Sequence, residues 1–403
     1  MAYERPIFPR RTFLGGVGGA VLAAGPARAV LADAPTDKRF VFITLRGAMD
    51  GLNVVPPHAD PNYAVLRGQI AIARPGASGG ATDLNGFFGL HPALSAIAPW
   101  YKEGALLPIQ AVASPYRDRS HFDGQDVMEN GLTSPLETSI GWLNRTLSVM
   151  GGSNRQLGLA VGLTIPLVLQ GPIQVASWAP SKLAEPNANF LSAVEYIYQG
   201  DTILAPALAD GIEQMQTDGQ LLGGGGNPST GDYKNQTILA NAAGKLLADP
   251  NGPRIAVLDA EGWDTHVQQG AATGRLANAL GGLSATLVAL RASLGPVWKE
   301  TVVLMSTEFG RTAHANGTGG TDHGTATVTL LAGGAILGGK VLGKWPGLSE
   351  TSLYQSRDLM PTTDLRAVIK TVLRNHLGVS QSLLESTVFP NSADAKPIAG
   401  IIA

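Results

Sequence analysis

Arg39-Phe40-Val41-Phe42-Ile43-Thr44-Leu45-Arg46, followed at once by Gly47-Ala48-Met49-Asp50-Gly51, is the stretch on which the fold turns. Its β-branched and aromatic side chains favour extended backbone, and Gly47 then breaks the run into a loop that carries an acid, Asp50. The same grammar recurs further along the chain. Ala105 to Ala113 reads as a buried strand running into the polar loop Ser114 to Asp126. Arg254 to Leu258 reads as a strand followed by Asp259-Ala260-Glu261-Gly262-Trp263-Asp264-Thr265-His266. Thr301 to Met305 is a third, followed by Ser306-Thr307-Glu308-Phe309-Gly310-Arg311, and Thr321-Asp322-His323-Gly324 precedes the apolar run Thr325 to Ala332.

Helical patterns lie between these runs. His91-Pro92-Ala93-Leu94 opens one through Tyr101, and Leu276, Leu280, Leu283, Leu287 and Leu290 repeat at gaps of four and three, one apolar helix face. Phe190 to Met215 and Tyr233 to Leu247 read as helical, and Asp364 to Leu377 is a closing amphipathic helix stopped by Gly378. Leu157 to Val175 holds strand-like runs punctuated by Pro166 and Pro172. Strands alternating with helices give an α/β fold, a mostly parallel central sheet with helices on both faces. One such domain is expected over residues 38–390, with 145–250 as an insertion or subdomain. Gly219 to Gly231 is a glycine-rich surface connection, with no Lys-Ser/Thr after it to make a phosphate loop.

The beginning of the chain reads as a twin-arginine export signal over residues 1–29. Arg10-Arg11-Thr12-Phe13-Leu14 gives the paired arginines, Gly15 to Gly25 is apolar and free of charge, and Ala27-Arg28-Ala29 offers a small-x-small cleavage pattern. The expectation is a periplasmic or secreted protein that meets the twin-arginine translocase during export and folds beforehand. Cleavage leaves about 370 residues of the 403. The sequence contains no Cys, which excludes disulfides, thiolate metal sites and a Cys nucleophile in an oxidising compartment. A formal net charge of −2, with the basic residues scattered, argues against nucleic acid as a partner. No segment after the signal is expected to span a membrane stably.

In doubly wound sheets ligands gather at the carboxyl ends of the strands, and here several strands end in loops rich in acids, imidazoles and hydroxyls. Asp50, Asp264, His266, Glu308, Asp322 and His323, gathered at one edge, would make an oxygen- and nitrogen-rich cage for one or two divalent ions such as Zn²⁺, Mn²⁺, Mg²⁺ or Ca²⁺. Singly, each acid reads as a cap or turn residue; jointly they read as a site. The loop Tyr116-Arg117-Asp118-Arg119-Ser120-His121-Phe122-Asp123 adds a hydroxyl beside an imidazole. Ser120 reads as a helix N-cap, with Asp123 at the third helical position, and also as a nucleophile. His121 joins it as a candidate catalytic group. Arg119 and Arg311 are the residues expected to hold a substrate anion, Arg311 also as a catalytic group. A Ser-His-Asp triad on a Gly-x-Ser-x-Gly elbow is not supported, because no such elbow occurs after the signal.

The loops at Leu45 to Gly51, Arg119-Ser120-His121-Phe122, Gly262 to His266, Glu308-Phe309-Gly310-Arg311-Thr312 and Asp322-His323-Gly324, in this order behind a twin-arginine start, resemble the exported bacterial domain of unknown function 1501 family. That family is in turn similar to the alkaline phosphatase–sulfatase superfamily. The resemblance implies an alkaline phosphatase-like fold, Asp50 as an early metal ligand, Ser120 as nucleophile and His323 as the last ligand histidine. Phe309 departs from the pattern, since the superfamily carries a ligand imidazole there; Asp322 or His121 would substitute. The expected function is metal-dependent hydrolysis of small-molecule or polymer phosphate, sulfate or related esters. The alternative is a non-catalytic periplasmic binding or scaffolding protein that keeps the cleft for a glycan, a polymer or a protein partner.

Overall fold

The computed structural model describes residues 36–151, 157–180, 188–201, 204–205, 208–209 and 233–403. Residues 1–29, expected to be an export signal, and the glycine-rich loop Gly219 to Gly231 lie outside the described residues, as does part of the helix expected from Phe190 to Met215; of that helix, Ala188–Tyr198 is described. The chain divides into two compact units. One comprises Met1–Arg28 and Pro180–Asn227; the other, Ala29–Ala179 with Pro228–Ala403, carries the sheet and the loops of interest. Two strands and a helix from within residues 145–250 therefore belong to the central sheet unit.

The strands are β1 (Arg39–Leu45), the short hairpin β2 (Thr82–Asp83) with β3 (Gly89–Leu90), β4 (Leu106–Ala113), β5 (Gly158–Val161), β6 (Ala176–Trp178), β7 (Ile255–Ala260), β8 (Thr301–Ser306), β9 (Thr327–Ala332) and β10 (Thr363–Asp364). Eight of them form one sheet in the order β10-β4-β9-β8-β1-β7-β5-β6. β1 sits near its middle, parallel to both neighbours, with Phe40 opposite Ile255 on one side and Val302 on the other. All seven residues of β1 are buried, which is why its sequence shows no polar alternation. β9 alone runs against the rest, antiparallel to both β4 and β8.

Alternation along β1 sends Phe40 and Phe42 to one face, where their rings meet Trp142 at 6.4 and 5.4 Å. That core also takes in Val368, Ile369 and Val372 of the helix Leu365–Asn375, whose N-cap Asp364 accepts a hydrogen bond from the Arg366 amide. The helices Tyr233–Ala248 and Arg275–Leu294 pack on each other outside this cluster. Gly244 permits their close approach, for a Cβ there would lie 2.5 Å from Ser293 Cβ. Arg275–Glu300 is long and apolar enough by composition to cross a membrane, with a mean hydropathy of 1.3, contrary to the expectation that no such segment follows the signal. Its leucine face, Leu276, Leu280, Leu283, Leu287 and Leu290, is fully buried within the protein, as in a core helix. The helix expected from His91 to Tyr101 is instead a 3₁₀ turn, Pro92–Leu94, and a separate short helix, Ala98–Lys102.

Candidate metal centre

The topology explains why residues far apart in sequence share one rim. The parallel strands β1, β4, β7 and β8 all end there, delivering loops 46–50, 114–121, 261–266 and 307–311. β9 is antiparallel, so it starts where they end, and the segment leading into it brings His323 to the same rim. Gly47, at φ 120°, lets the β1 loop lie directly against the β7 loop, for a Cβ would sit 2.6 Å from the Asp264 amide nitrogen.

Four side chains converge at that point: His121, Asp264, His266 and His323. One ligand atom from each of His121, Asp264 and His323 lies within 4.8 Å of the others. Asp264 Oδ1 is 3.1 Å from His266 Nε2 and 3.7 Å from His323 Nε2, and Asp264 Oδ2 is 3.6 Å from His121 Nε2. His266 Nε2 and His323 Nε2 are 2.8 Å apart.

Each imidazole is held from behind by an oxygen that can only accept. His121 Nδ1 lies 2.7 Å from Glu308 Oε1, His266 Nδ1 3.4 Å from Asp322 Oδ1, and His323 Nδ1 2.9 Å from the Arg119 carbonyl. The Nδ1 atoms therefore carry the protons, and all three Nε2 atoms turn a lone pair inward. The Nε2 pair 2.8 Å apart needs a shared proton or a cation between its nitrogens, and His121 Nε2 is buried with no hydrogen-bond partner among the described residues. A tetrahedral ion with bonds of about 2 Å spaces its ligand atoms about 3.3 Å apart, close to the 3.1, 3.6 and 3.7 Å between the Asp264 oxygens and the three Nε2 atoms. By donor chemistry and by spacing, the residues fit a metal ion.

The electrostatics agree. Burial resists the charge on Asp264, but the Arg311 guanidinium, by hydrogen bond and by charge, leads the influences that hold the carboxyl below its usual range. Burial lowers His323, against its bond to the Arg119 carbonyl and with help from the Arg311 charge, so the imidazole is neutral and able to ligate at neutral pH. Glu308 is fully buried, yet hydrogen bonds from His121, Thr307 and Gln125 overcome the burial and keep it ionised.

The remaining expected site residues stand elsewhere, each for a visible reason. Asp50 is not brought to the cluster: its buried carboxylate pairs with the fully buried Arg67 and accepts from Gln269 Nε2 at 2.6 Å. Glu308 is no free ligand, since its oxygens accept from the Gly47 amide (2.9 Å), His121, Gln125 Nε2 (3.2 Å) and Thr307 Oγ1 (2.7 Å). Asp322 lies behind His266 and also accepts from Asn316 Nδ2 at 3.1 Å. Arg311 is buried and donates to the carbonyls of Ala48, Gly47, Thr321 and Trp263 as well as to Asp264, which leaves it a strut between loops and not an anion clamp. Arg119 likewise turns its guanidinium to Asp358 and Gln355.

Ser120 does occupy the N-cap position of the helix His121–Asn130, but its side chain makes no capping bond. Its amide donates to the Tyr116 hydroxyl at 3.1 Å, and its hydroxyl meets the same phenol. Asp123 accepts from that phenol at 3.3 Å in place of forming a capping pair. Phe309 stacks on His121 with ring centroids 5.1 Å apart and touches His323 at 5.2 Å, walling one side of the cluster. Arg67, Gln269 and Asp358 escaped sequence reasoning because none of them follows a strand; the first two are legible only once Asp50 is known to be buried.

In overall structure the chain is similar to the PsFucS1 sulfatase from Pseudoalteromonas sp. (TM-score 0.42, 15% identity, covering 98% of this chain and 75% of that one). It is also similar to the phosphonate monoester hydrolase of Agrobacterium radiobacter (TM-score 0.34, 9% identity, 85% and 74%). A third similar structure is the lipoteichoic acid synthase LtaP from Listeria monocytogenes (TM-score 0.34, 9% identity, 93% and 81%). No curated protein matches the chain. Residues 90–388, which include every member of the four-residue cluster, match the model of one family, and the chain belongs to it: the protein of unknown function family DUF1501.

Proposed function

We propose that the chain is an exported, metal-dependent hydrolase of phosphate, sulfate or related esters that uses one divalent ion held by His121, Asp264, His266 and His323. The observation that carries this reading is the convergence of three inward Nε2 lone pairs on one carboxylate, with every Nδ1 already committed to an acceptor. Three imidazoles with one carboxylate suit Zn²⁺ better than Mg²⁺ or Ca²⁺, which prefer all-oxygen sites. Such an ion supplies Lewis-acid polarisation of an ester oxygen. Asp264 and His266 are part-exposed, so an ester can reach the cluster from solvent.

The chain's own groups complete the site. Glu308, Asp322 and the Arg119 carbonyl fix the ring orientations, and Phe309 excludes water from one side. With Arg311 and Arg119 committed elsewhere, the ester's anionic oxygens face the free first-turn amides of the helix His121–Asn130, at whose cap Ser120 sits. Ser120 Oγ bonds to the phosphorus or sulfur as the alcohol leaves, and water then cleaves the serine ester; the net reaction consumes one water and releases the alcohol and the inorganic anion. A panel of phospho- and sulfo-esters, assayed with protein carrying one zinc per chain, tests this. Ser120→Ala should lose at least about 100-fold in kcat/KM; full activity in that variant would remove the covalent step.

The commitment of both arginines to protein acceptors favours a second reading, a metal-dependent binder of a glycan, polymer or protein. Saturable, zinc-dependent ligand binding without turnover of any ester would select it.

A further inference from the structure

We infer that Arg119 and Asp358 form a strap that positions the metal cluster, with Arg119 acting through its backbone and its ion pair and not on substrate. The inference rests on the metal reading of that cluster. The observations begin with the backbone. Arg119 has φ 62°, in the left-handed region that a long side chain rarely adopts, and across from it Gln355 and Ser356 have φ 55° and 49°. A backbone conformation of this kind persists only where the surroundings over-determine it.

The over-determination is visible. Arg119 Nε donates to Asp358 Oδ2 at 2.9 Å, its NH2 group lies 2.7 Å from the same oxygen, and NH2 also donates to Gln355 Oε1 at 2.7 Å. Asp358 is completely buried and further accepts from Thr325 Oγ1 at 2.8 Å, while its backbone closes the turn with Tyr354 through bonds of 2.8 and 3.0 Å. A charge buried this fully needs its partner, so the pair locks the two loops together. The chemical result is local. The left-handed turn aims the Arg119 carbonyl at His323 Nδ1, fixing that ring with Nε2 inward, and the next two residues are Ser120 and His121. One strap thus sets a ligand on the segment leading into β9 and a ligand at the helix N-terminus. Thr325, two residues after His323, ties the same acid to the β9 side.

Zinc affinity of the full exported chain, measured by competition with a chromophoric chelator, is the test. Arg119→Ala should weaken Zn²⁺ binding about 10- to 100-fold and also lower the denaturant midpoint of the metal-free protein, because buried Asp358 keeps only Arg357 beside it, and Arg119→Lys should recover part of both losses. Zinc affinity within twofold of the unsubstituted protein in Arg119→Ala overturns the strap. Should that variant fail to fold, Asp358→Asn carries the same expectation and the same refutation. Unsubstituted protein that binds no zinc overturns the metal reading and the strap with it; unsubstituted and variant proteins that bind equally well overturn the strap alone.

Discussion

Replacing Glu308 by Gln separates a residue that holds a ligand from one that is a ligand. Glu308 Oε1 receives three donors, Gly47 N–H, His121 Nδ1–H and Gln125 Nε2–H, and Oε2 faces Thr307 Oγ1 at 2.7 Å. A glutamine keeps one oxygen, which can take the three-donor side. Its amide nitrogen then faces Thr307, whose hydroxyl can accept because it has the Leu45 carbonyl at 2.6 Å as its own acceptor. No buried donor is orphaned. What disappears is the charge on the acceptor: a charge-assisted bond contributes about 1.5–3 kcal/mol and a neutral one about 0.5–1.5, so roughly 1.4 kcal/mol of the force fixing His121 is lost. That corresponds to about tenfold in zinc affinity, with only a small change in stability. Glu308→Leu, by contrast, strands three buried donors at about 1–3 kcal/mol each and should destabilise the protein by several kcal/mol. Chelator competition gives the affinity and urea unfolding of metal-free protein gives the stability. Complete loss of zinc in Glu308→Gln would refute the reasoning and restore Glu308 as a direct ligand; unchanged affinity would refute the link through His121.

Asp50→Ala leaves the buried Arg67 guanidinium unpaired and should cost about 3–5 kcal/mol of stability while zinc affinity changes less than threefold; a variant that unfolds normally but loses zinc would make Asp50 a ligand after all. His376 is buried, with its pKa lowered from 6.5 to about 4, chiefly by burial, against a bond to the Arg39 carbonyl. The unfolded chain therefore takes up that proton first as pH falls: this contribution is complete above pH 6.5 and drains away toward pH 4, about 2 kcal/mol by pH 5. His376→Gln should flatten that limb of a plot of unfolding midpoint against pH, and parallel curves for the two proteins would show that the group does not titrate on unfolding. For export, Arg10→Lys with Arg11→Lys should trap the chain in the cytoplasm, as fractionation would report; undiminished export would dismiss the twin-arginine reading.

The sheet was legible because its central strands are buried on both faces and so appear as unbroken apolar runs: β1, β4, β7 and β8 all fall within the runs read from residues 39–46, 105–113, 254–258 and 301–305 or one or two residues beyond. The direction of β9 was not legible, since an antiparallel strand buried in the same sheet has the same composition as a parallel one. Its direction is what brings His323 to the rim at the start of a strand and not at the end of one. At the site, the meeting of acids and imidazoles was readable from strand-end loops. Which carboxylate ligates and which supports was not, because the difference between Asp264 and Glu308 lies in the neighbours each one faces. Glu308 meets four protein donors; Asp264 meets one arginine and three imidazoles. The arginines failed for the same reason. A guanidinium near a site reads as an anion clamp until its acceptors are known, and Nε, Nη1 and Nη2 of Arg311 already donate to four carbonyls and one carboxylate.

Phe309 holds the position at which the sequence resemblance led to the expectation of a ligand imidazole. A ring that cannot ligate stands where an imidazole is expected, and alone it would merely delete a donor. Here it packs with Ala48, Tyr116 and Val127 into a small apolar cluster and lies nearly parallel to His121, at an interplanar angle of 27°. His121 in turn draws its Nδ1 partner from Glu308, the residue just before Phe309. Two adjacent residues at the end of β8 therefore fix the ring of His121 from another loop, Phe309 by its face and Glu308 by its charge. Asp50, the other acid expected to hold an ion, is balanced by the buried Arg67, a fixed cation in place of a mobile one. Among the described residues, His121, Asp264 and His323 each offer a ligand atom within 4.8 Å of the others, and His266 Nε2 lies 2.8 Å from His323 Nε2. On the proposed metal reading, the ring at Phe309 and the imidazole at His121 thus form one arrangement, in which the first positions the second.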